Sequence, residues 1–249
     1  MAATYDSLAT RLIDRYEKDY TELKNNQLFV CVAGGPGSGK STLATAVAER
    51  INEQMQNDDG DGGESSSVAV VLPMDGFHYS RSQLQSMGES PDIEYTYEQL
   101  MARRGAPWTF DAEGCIAAFT AAREEGKASL PVYSRVKSDP VPDGVQLNPD
   151  TKIVLLEGNY LLAWGDERWE PLRANKVFDE TWYIACKSLE EQRERLVKRH
   201  LETWSGEKTK LFGEGAKGAG AKADSNDMKN LIWVEEMSRE YADLVVVSA

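Results

Sequence analysis

The sequence predicts an α/β protein, a three-layer α/β/α sandwich with helices on both faces of a mostly parallel five-stranded sheet. Three observations carry this expectation. Five short, β-branched apolar runs are spread along the 249 residues. Segments of helical periodicity separate them, and strand alternating with helix gives a parallel sheet. Several of the runs lack polar alternation, which marks strands covered on both faces.

Taken in order, residues 1–25 predict a helix, because Tyr5, Leu8, Leu12, Ile13, Tyr16 and Tyr20 fall at helical spacing. Charges occupy the place where a secretory leader would be apolar. The first strand is LFVCVA, residues 28–33, followed by a glycine-rich turn and the helical stretch STLATAVAERI. The later strands are VAVVLPMD (68–75), KIVLLEG (152–158), TWYIA (181–185) and DLVVVS (243–248). Two stretches read as flexible by composition: the acidic, glycine-rich residues 57–67, and the Gly/Ala/Lys-rich residues 205–225, within a mobile lid expected over 200–225. With neither an internal repeat nor a composition break, residues 1–249 form a single expected domain.

Apolar residues make up 41% of the chain, enough for a sizeable core, while the net charge of -13 argues against nucleic acid or an anionic membrane as partner. A small anion in a local positive pocket remains compatible with that charge. No apolar stretch reaches the length of a membrane span. Cys31, Cys115 and Cys186 are odd in number, far apart and without metal-ligand spacing, so they read as reduced thiols of a cytoplasmic protein. With only His78 and His200 beside them, zinc chemistry is disfavoured.

Gly34 to Ser41 reads G-G-P-G-S-G-K-S and satisfies G-x-x-x-x-G-K-[ST] between a strand and a helix, the context of a P-loop NTPase fold. Gly35, Pro36, Gly37, Ser38, Gly39, Lys40, Ser41 and Thr42 are the expected phosphate cradle. Glycines let successive amides turn into one concavity, and the next helix offers its positive end. Lys40 would reach the β- and γ-phosphates of ATP. The Ser41 hydroxyl, with the carboxylates of Glu157 and Asp75, supplies oxygen donors for Mg²⁺. Asp75 follows the second strand, where a carboxylate can take the proton of an attacking hydroxyl; it also reads as a turn aspartate before Gly76. Glu157 ends the third strand, as a metal-side carboxylate or as a strand-end residue without a metal.

GGPGSGKST, MDGFHYS and LLEGNYLL together resemble the phosphoribulokinase/uridine kinase family, which includes bacterial-type pantothenate kinase. RRGAPWTFD (103–111), PVYSRVKSDP (131–140) and NDMKN (226–230) extend the resemblance to the uridine-kinase-like branch, across nearly the whole chain. It implies transfer of the γ-phosphate of ATP to a hydroxyl of a small molecule such as a nucleoside, a sugar or pantothenate. Asp75 would be the base and Glu157 the supporting carboxylate. Ser134 departs from the family's Y-D-R pattern. Tyr133 and Arg135 contact the acceptor on this reading; otherwise Tyr133 packs and Arg135 pairs with Asp139. His78 is an acceptor contact or a satisfied loop histidine. Arg103 and Arg104 bind an acidic acceptor or sit in solvent.

Ser188 and Glu191 form a capping-box pair that predicts a helix start, which places Arg195 and Arg199 at i and i+4 on one face. The family's lid arginines match this region and would close over the phosphoryl group, Arg199 as a catalytic residue; the alternative is a basic face paired with Glu191 and Glu194. Asn230 either touches the nucleotide base or orders the lid, and Asn226 or Asp227 starts a helix. A nucleotide-dependent switch is the competing function. Its guanine-reading N-K-x-D has only NKVFD, residues 175–179, as a counterpart, and that lies on the wrong side of a strand. An ATPase without an acceptor is the third reading, hinted at by Ser134.

Overall fold

The computed structural model describes residues 2–56 and 67–248. The acidic stretch expected as a loop over 57–67 lies outside the described residues except for Ser67. In chain order the elements are α1 (Ala2–Asp19), β1 (Leu28–Ala33), α2 (Lys40–Gln56), β2 (Ala69–Pro73), α3 (Arg81–Gly88), α4 (Tyr97–Ala102) and α5 (Ala112–Glu125). There follow β3 (Ala128–Ser134), β4 (Asp139–Leu147), β5 (Ile153–Gly158), α6 (Pro171–Ala174), β6 (Glu180–Cys186) and α7 (Leu189–Glu202). The chain closes with α8 (Gly206–Phe212), α9 (Gly215–Lys222), a π turn over Ala223–Asp227, α10 (Met228–Ser238) and β7 (Leu244–Ser248).

The five expected strands make one parallel sheet in the order β2-β5-β1-β6-β7. Side chains alternate between its faces. Phe29, Cys31 and Ala33 of β1 join the core under α5, α6 and α10, whereas Leu28, Val30 and Val32 face α1 and α2. Both faces are covered, so β1 and β5 are buried at every position, which is why their sequences are continuously apolar. After β1 the chain crosses to one side of that strand, and after β5 to the other. The crevice beyond the carboxyl end of β1 is therefore the topological switch point, where ligands of such sheets bind.

α1 is fastened by charge as well as by Leu8, Ala9, Leu12 and Tyr16. The carboxylate of Glu180, which is fully buried, accepts from Arg11 at 2.7 Å, Arg15 at 2.5 Å and the Trp182 indole at 2.6 Å. Burial alone would raise its pKa; these hydrogen bonds hold it below the usual range.

Two regions differ from the sequence expectation. β3 and β4 form an antiparallel ribbon apart from the main sheet. Its prolines, Pro131, Pro140 and Pro142, are poor strand markers, but a two-stranded ribbon has free edges where a missing donor is tolerated. The Gly/Ala/Lys-rich stretch read as a loop is helical. Ser205 caps α8, and the small residues Gly218, Ala219 and Gly220 are the buried ones of α9, which packs on α7. Tertiary packing overrides the weak helix propensity of glycine here.

Arg15→Ala is expected to lower unfolding free energy by about 1–3 kcal/mol at neutral pH, because a buried acceptor loses a charged donor. The depressed pKa of Glu180 means its contribution is complete above the ordinary carboxylate range and lost as pH falls through the folded value. The deficit in urea melts should therefore be full at pH 7 and disappear in acid.

Candidate active site

The sheet register builds the site. Val32 and Pro73 both lie opposite Glu157, and Ala33 lies opposite Gly158, so the glycine-rich loop leaves β1 directly beside the end of β5. Gly37 and Gly39 have φ of 78° and 87°, a left-handed conformation that turns the following amides inward. Among the described residues nothing accepts a hydrogen bond from the amides of Gly37, Gly39, Lys40, Ser41 and Thr42. They form, with the start of α2, a concavity of unused donors at the positive end of a helix, which fits a phosphate chain.

The Ser41 hydroxyl donates to Glu157 Oε2 at 3.0 Å. Burial raises the pKa of Glu157; Lys40 opposes that rise, Asp75 adds to it, and Ser41 and Arg135 lower it. Two carboxylates and a hydroxyl thus converge with Lys40. These are hard oxygen donors only, the set that suits Mg²⁺ completed by phosphate oxygens and water. Among the described residues no group of three or more His, Cys, Asp or Glu side chains could by itself enclose a metal ion.

Asp75 sits in the single turn Met74–Phe77 immediately after β2. A Cβ on Gly76 would lie 2.0 Å from the Pro131 carbonyl oxygen, so only glycine lets this turn touch β3. The contact brings Asp75 to Tyr133. His78 lies between the Tyr133 ring, 4.9 Å away, and the Phe110 ring, 3.9 Å away. Its Nδ1 is 2.8 Å from the Asp75 carbonyl; since a carbonyl only accepts, Nδ1 carries a proton, and in the neutral ring Nε2 is then the acceptor. Burial lowers the pKa of His78, partly offset by Asp75, which favours the neutral ring. No described side chain hydrogen-bonds the Asp75 carboxylate, which is half-buried and acts electrostatically on Glu157, Tyr133 and Tyr160.

The predicted residues divide. Lys40, Ser41, Asp75, His78, Tyr133, Arg135 and Glu157 gather around the carboxyl ends of β1, β2 and β5. Arg104 is built into the wall of this region: its guanidinium donates to Ser138 O at 2.6 Å, Tyr79 O at 2.9 Å and Asp139 Oδ1 at 2.6 Å, and it packs over Tyr133. It fastens the loop after β2 to the β3–β4 ribbon through three of its five N–H groups, leaving one Nη1 N–H and the buried Nε–H without a partner among the described residues. Asp139 is therefore not the partner of Arg135. Ser134 Oγ accepts from the Lys137 amide at 3.2 Å and serves the ribbon's turn.

The Asn230 side chain is likewise engaged within the fold. It is buried; its amide donates to Gly105 O at 3.1 Å and Asn226 Oδ1 at 3.3 Å, while its own oxygen accepts from Arg103 at 3.3 Å. Its side chain thus ties the Arg103–Gly105 turn to Asn226 and α10. On α7, Ser188 caps as predicted, but Glu191 pairs with Arg195 instead of closing a capping box. Arg195 also donates to Ser248 at 2.9 Å, and Arg199 reaches Asp227 at 3.2 Å.

Sequence reasoning missed Gln192. Its Nε2 donates to the Pro36 carbonyl at 2.8 Å, and Leu196, one turn on, lies against Gly37. A polar residue in line with the apolar stripe of α7 was the available signal.

A loop of this geometry at the switch point, with Glu157 ending β5 and Asp75 just after β2, marks a P-loop nucleotide-binding protein. The chain matches no protein-family model. It is 32% identical over 241 residues to the Schizosaccharomyces pombe protein named "Putative uridine kinase C227.14", covering 94% of this chain and 86% of that one. The Saccharomyces cerevisiae ATP-dependent kinase YFH7 is 27% identical over 239 residues, 83% of this chain but 62% of the relative. Among solved structures, a Silicibacter sp. TM1040 protein described as a "putative fructose transport system kinase" superposes with a TM-score of 0.73 at 26% identity, covering 97% of this chain and 98% of the other. The chain belongs to the phosphoribulokinase/uridine kinase family of ATP-dependent P-loop kinases, with its uridine-kinase-like members. Among the described residues no helix is long and apolar enough to cross a membrane.

Gln192→Ala leaves the Pro36 carbonyl unpaired at the phosphate loop, a cost of about 1–3 kcal/mol. It should weaken a fluorescent ATP analogue about tenfold or more in equilibrium titration. Asn230→Ala should lower the melting temperature yet leave that affinity within about twofold, because the side chain serves the fold.

Proposed function

We propose that the protein transfers the γ-phosphate of ATP to a hydroxyl of a small molecule held between Asp75 and Tyr133. The observation that carries this reading is the pairing of two different carboxylates. Glu157 is buried and hydrogen-bonded to Ser41, while Asp75 lies one strand over with its oxygens unengaged. One suits a metal and the other suits a proton.

The unused amides of the loop and the Lys40 ammonium receive the phosphates. Ser41 and Glu157, with Asp75 nearby, would hold Mg²⁺, which when bound neutralises charge on the β- and γ-phosphates. Asp75 orients the acceptor hydroxyl and takes its proton as the new O–P bond forms and the bond from the γ-phosphorus to the β-bridging oxygen breaks, releasing ADP. The neutral His78, locked by its Nδ1–H, offers Nε2 as an acceptor to a second hydroxyl and fixes the Asp75 turn. Tyr133 forms one wall of the acceptor space.

Asp75→Asn should reduce kcat by about 10²–10⁴-fold while leaving the affinity for ATP analogues unchanged, measured by coupled ADP release and by titration. Retention of turnover would remove Asp75 as the base. Glu157→Gln should raise the Mg²⁺ concentration needed for half-maximal rate. Because the Glu157 pKa is raised, Mg²⁺ affinity should weaken on the acid side at a higher pH than an ordinary carboxylate would give, as protonation removes the ligand.

A further inference from the structure

A cavity of about 390 Å³ opens at the amino end of the sheet, between α5, α6 and the start of β6. Trp164, Leu172 and Phe178 give it apolar walls, and Arg123, Arg173 and Lys176 give it three cations. Asp179 is the one carboxylate among its lining residues, and it is already committed. One of its oxygens accepts from Arg123 at 2.6 Å and the other from the Phe29 amide at 2.8 Å. Arg123 is committed with it, since it also donates to Gln27 O at 2.8 Å and lies over the Phe29 ring. Arg173 is held differently. Its guanidinium lies 5.5 Å from the centroids of both the Trp164 and the Tyr241 rings, and no acceptor among the described residues meets its N–H groups. The rings fix the group and leave its donors unused. Lys176 follows α6 with a left-handed backbone, φ 50°, uncommon for lysine. Its ammonium likewise meets no acceptor among the described residues.

Three cations against one carboxylate leave this cavity with a surplus of positive charge, in a chain whose net charge is -13. We infer that it is a binding site for a small phosphate monoester with a flat or apolar body, the phosphate received by Arg173 and Lys176 and the body lying against Leu172 and Phe178. A phosphate monoester carries about two negative charges near neutral pH, which matches two uncommitted cations, whereas a carboxylate carries one. A guanidinium with its donors free pairs with phosphate oxygens bidentately. The volume falls near the lower end of the usual range for ligand cavities, about 300–1,000 Å³, which suits one small molecule. The acidity of the chain as a whole disfavours a polyanion in the same place. The cavity is separate from the catalytic crevice. Asp179 is bonded to Phe29 near the amino end of β1, and the phosphate loop leaves the other end after Ala33, about 13 Å along the strand at roughly 3.3 Å per residue. Binding there is independent of phosphate transfer at the loop.

The test titrates the full chain with phenyl phosphate by ligand-detected NMR, after the phosphate loop has been filled with a saturating non-hydrolysable ATP analogue and Mg²⁺. Phenyl phosphate should bind the filled chain, more tightly than benzoate and than inorganic phosphate by about tenfold. Arg173→Gln and Lys176→Gln should each weaken that binding by about tenfold, with the affinity for the ATP analogue held within about twofold. Both side chains are exposed, so both variants should keep the parent melting temperature. Arg173→Lys should retain part of the affinity, because the charge stays while the fork is lost. Absence of phenyl phosphate binding to the filled chain, or unchanged affinity in either glutamine variant, overturns the inference. Equal affinity for benzoate overturns the preference for phosphate, and equal affinity for inorganic phosphate overturns the role of the apolar wall; either result sinks the site as stated. If the ATP analogue itself does not bind, the kinase reading fails, while the two glutamine variants still decide the cavity.

Discussion

The site depends on the register of β5 against its two neighbours. Glu157 lies opposite Val32 on one side and Pro73 on the other, so one residue is adjacent to the start of the phosphate loop and to the turn bearing Asp75. In a sheet buried on both faces, a slip of one residue would send every core side chain to the wrong layer. Phe29 and Cys31 would exchange places with Val30 and Val32, against helices of different shape. The packing that stabilises the domain therefore also fixes the distance between Ser41 and Glu157. The carboxylate is carried by hydrophobic burial into a place where its own desolvation is unfavourable, and Lys40, Arg135 and the Ser41 hydroxyl are the compensating groups.

A second layer of contacts holds the loop from the side away from the sheet. α7 supplies Gln192 to Pro36 and Leu196 to Gly37, and α10 sets Leu231 against Gly35. The same α10 carries Asn230, which grips the Arg103–Gly105 turn through Gly105 and Arg103. Arg104 of that turn clamps the ribbon that presents Tyr133. A continuous chain of packed and hydrogen-bonded groups thus links the nucleotide side to the acceptor side without passing through either ligand position.

What the sequence made legible follows from how each signal arises. The five strands were readable because burial on both faces leaves a continuous apolar run, and the P-loop because a concavity of amides needs glycines at fixed spacing. Asp75 and Glu157 were readable as polar residues ending such runs. The β3–β4 ribbon was not, since Pro131, Pro140 and Pro142 blur the pattern that a central strand would show. The helices over 206–222 were hidden for the opposite reason: glycine and alanine there answer a close approach to α7, a tertiary demand invisible to local propensity. Arg104 and Asn230 could be singled out as polar residues within motifs, but the partners that engage them lie 35 and 125 residues away in sequence. Only the fold reveals that they are occupied.

The π turn at Ala223–Asp227 gives that linkage its geometry. A π turn inserts one residue into a helical path and is seen mostly where side chains must be re-aimed. Here it points two consecutive residues at different elements. Asn226 faces the acceptor turn, bonding Arg103 and the Arg104 carbonyl, whereas Asp227 faces α7, bonding His200 and Arg199. A regular α-helix sets neighbours about 100° apart with one fixed rise, and the widened turn adjusts that angle to two partners at once. Burial alone would raise the pKa of Asp227, but His200 and then Arg199 hold it down, so it stays a carboxylate able to retain α7. The Arg199 guanidinium is nearly half exposed while Asp227 is mostly shielded, so water screens one side of this pair only. The buried bond between Asn226 and Asn230 is the firmer half of the same junction, because burial leaves its groups no water to turn to.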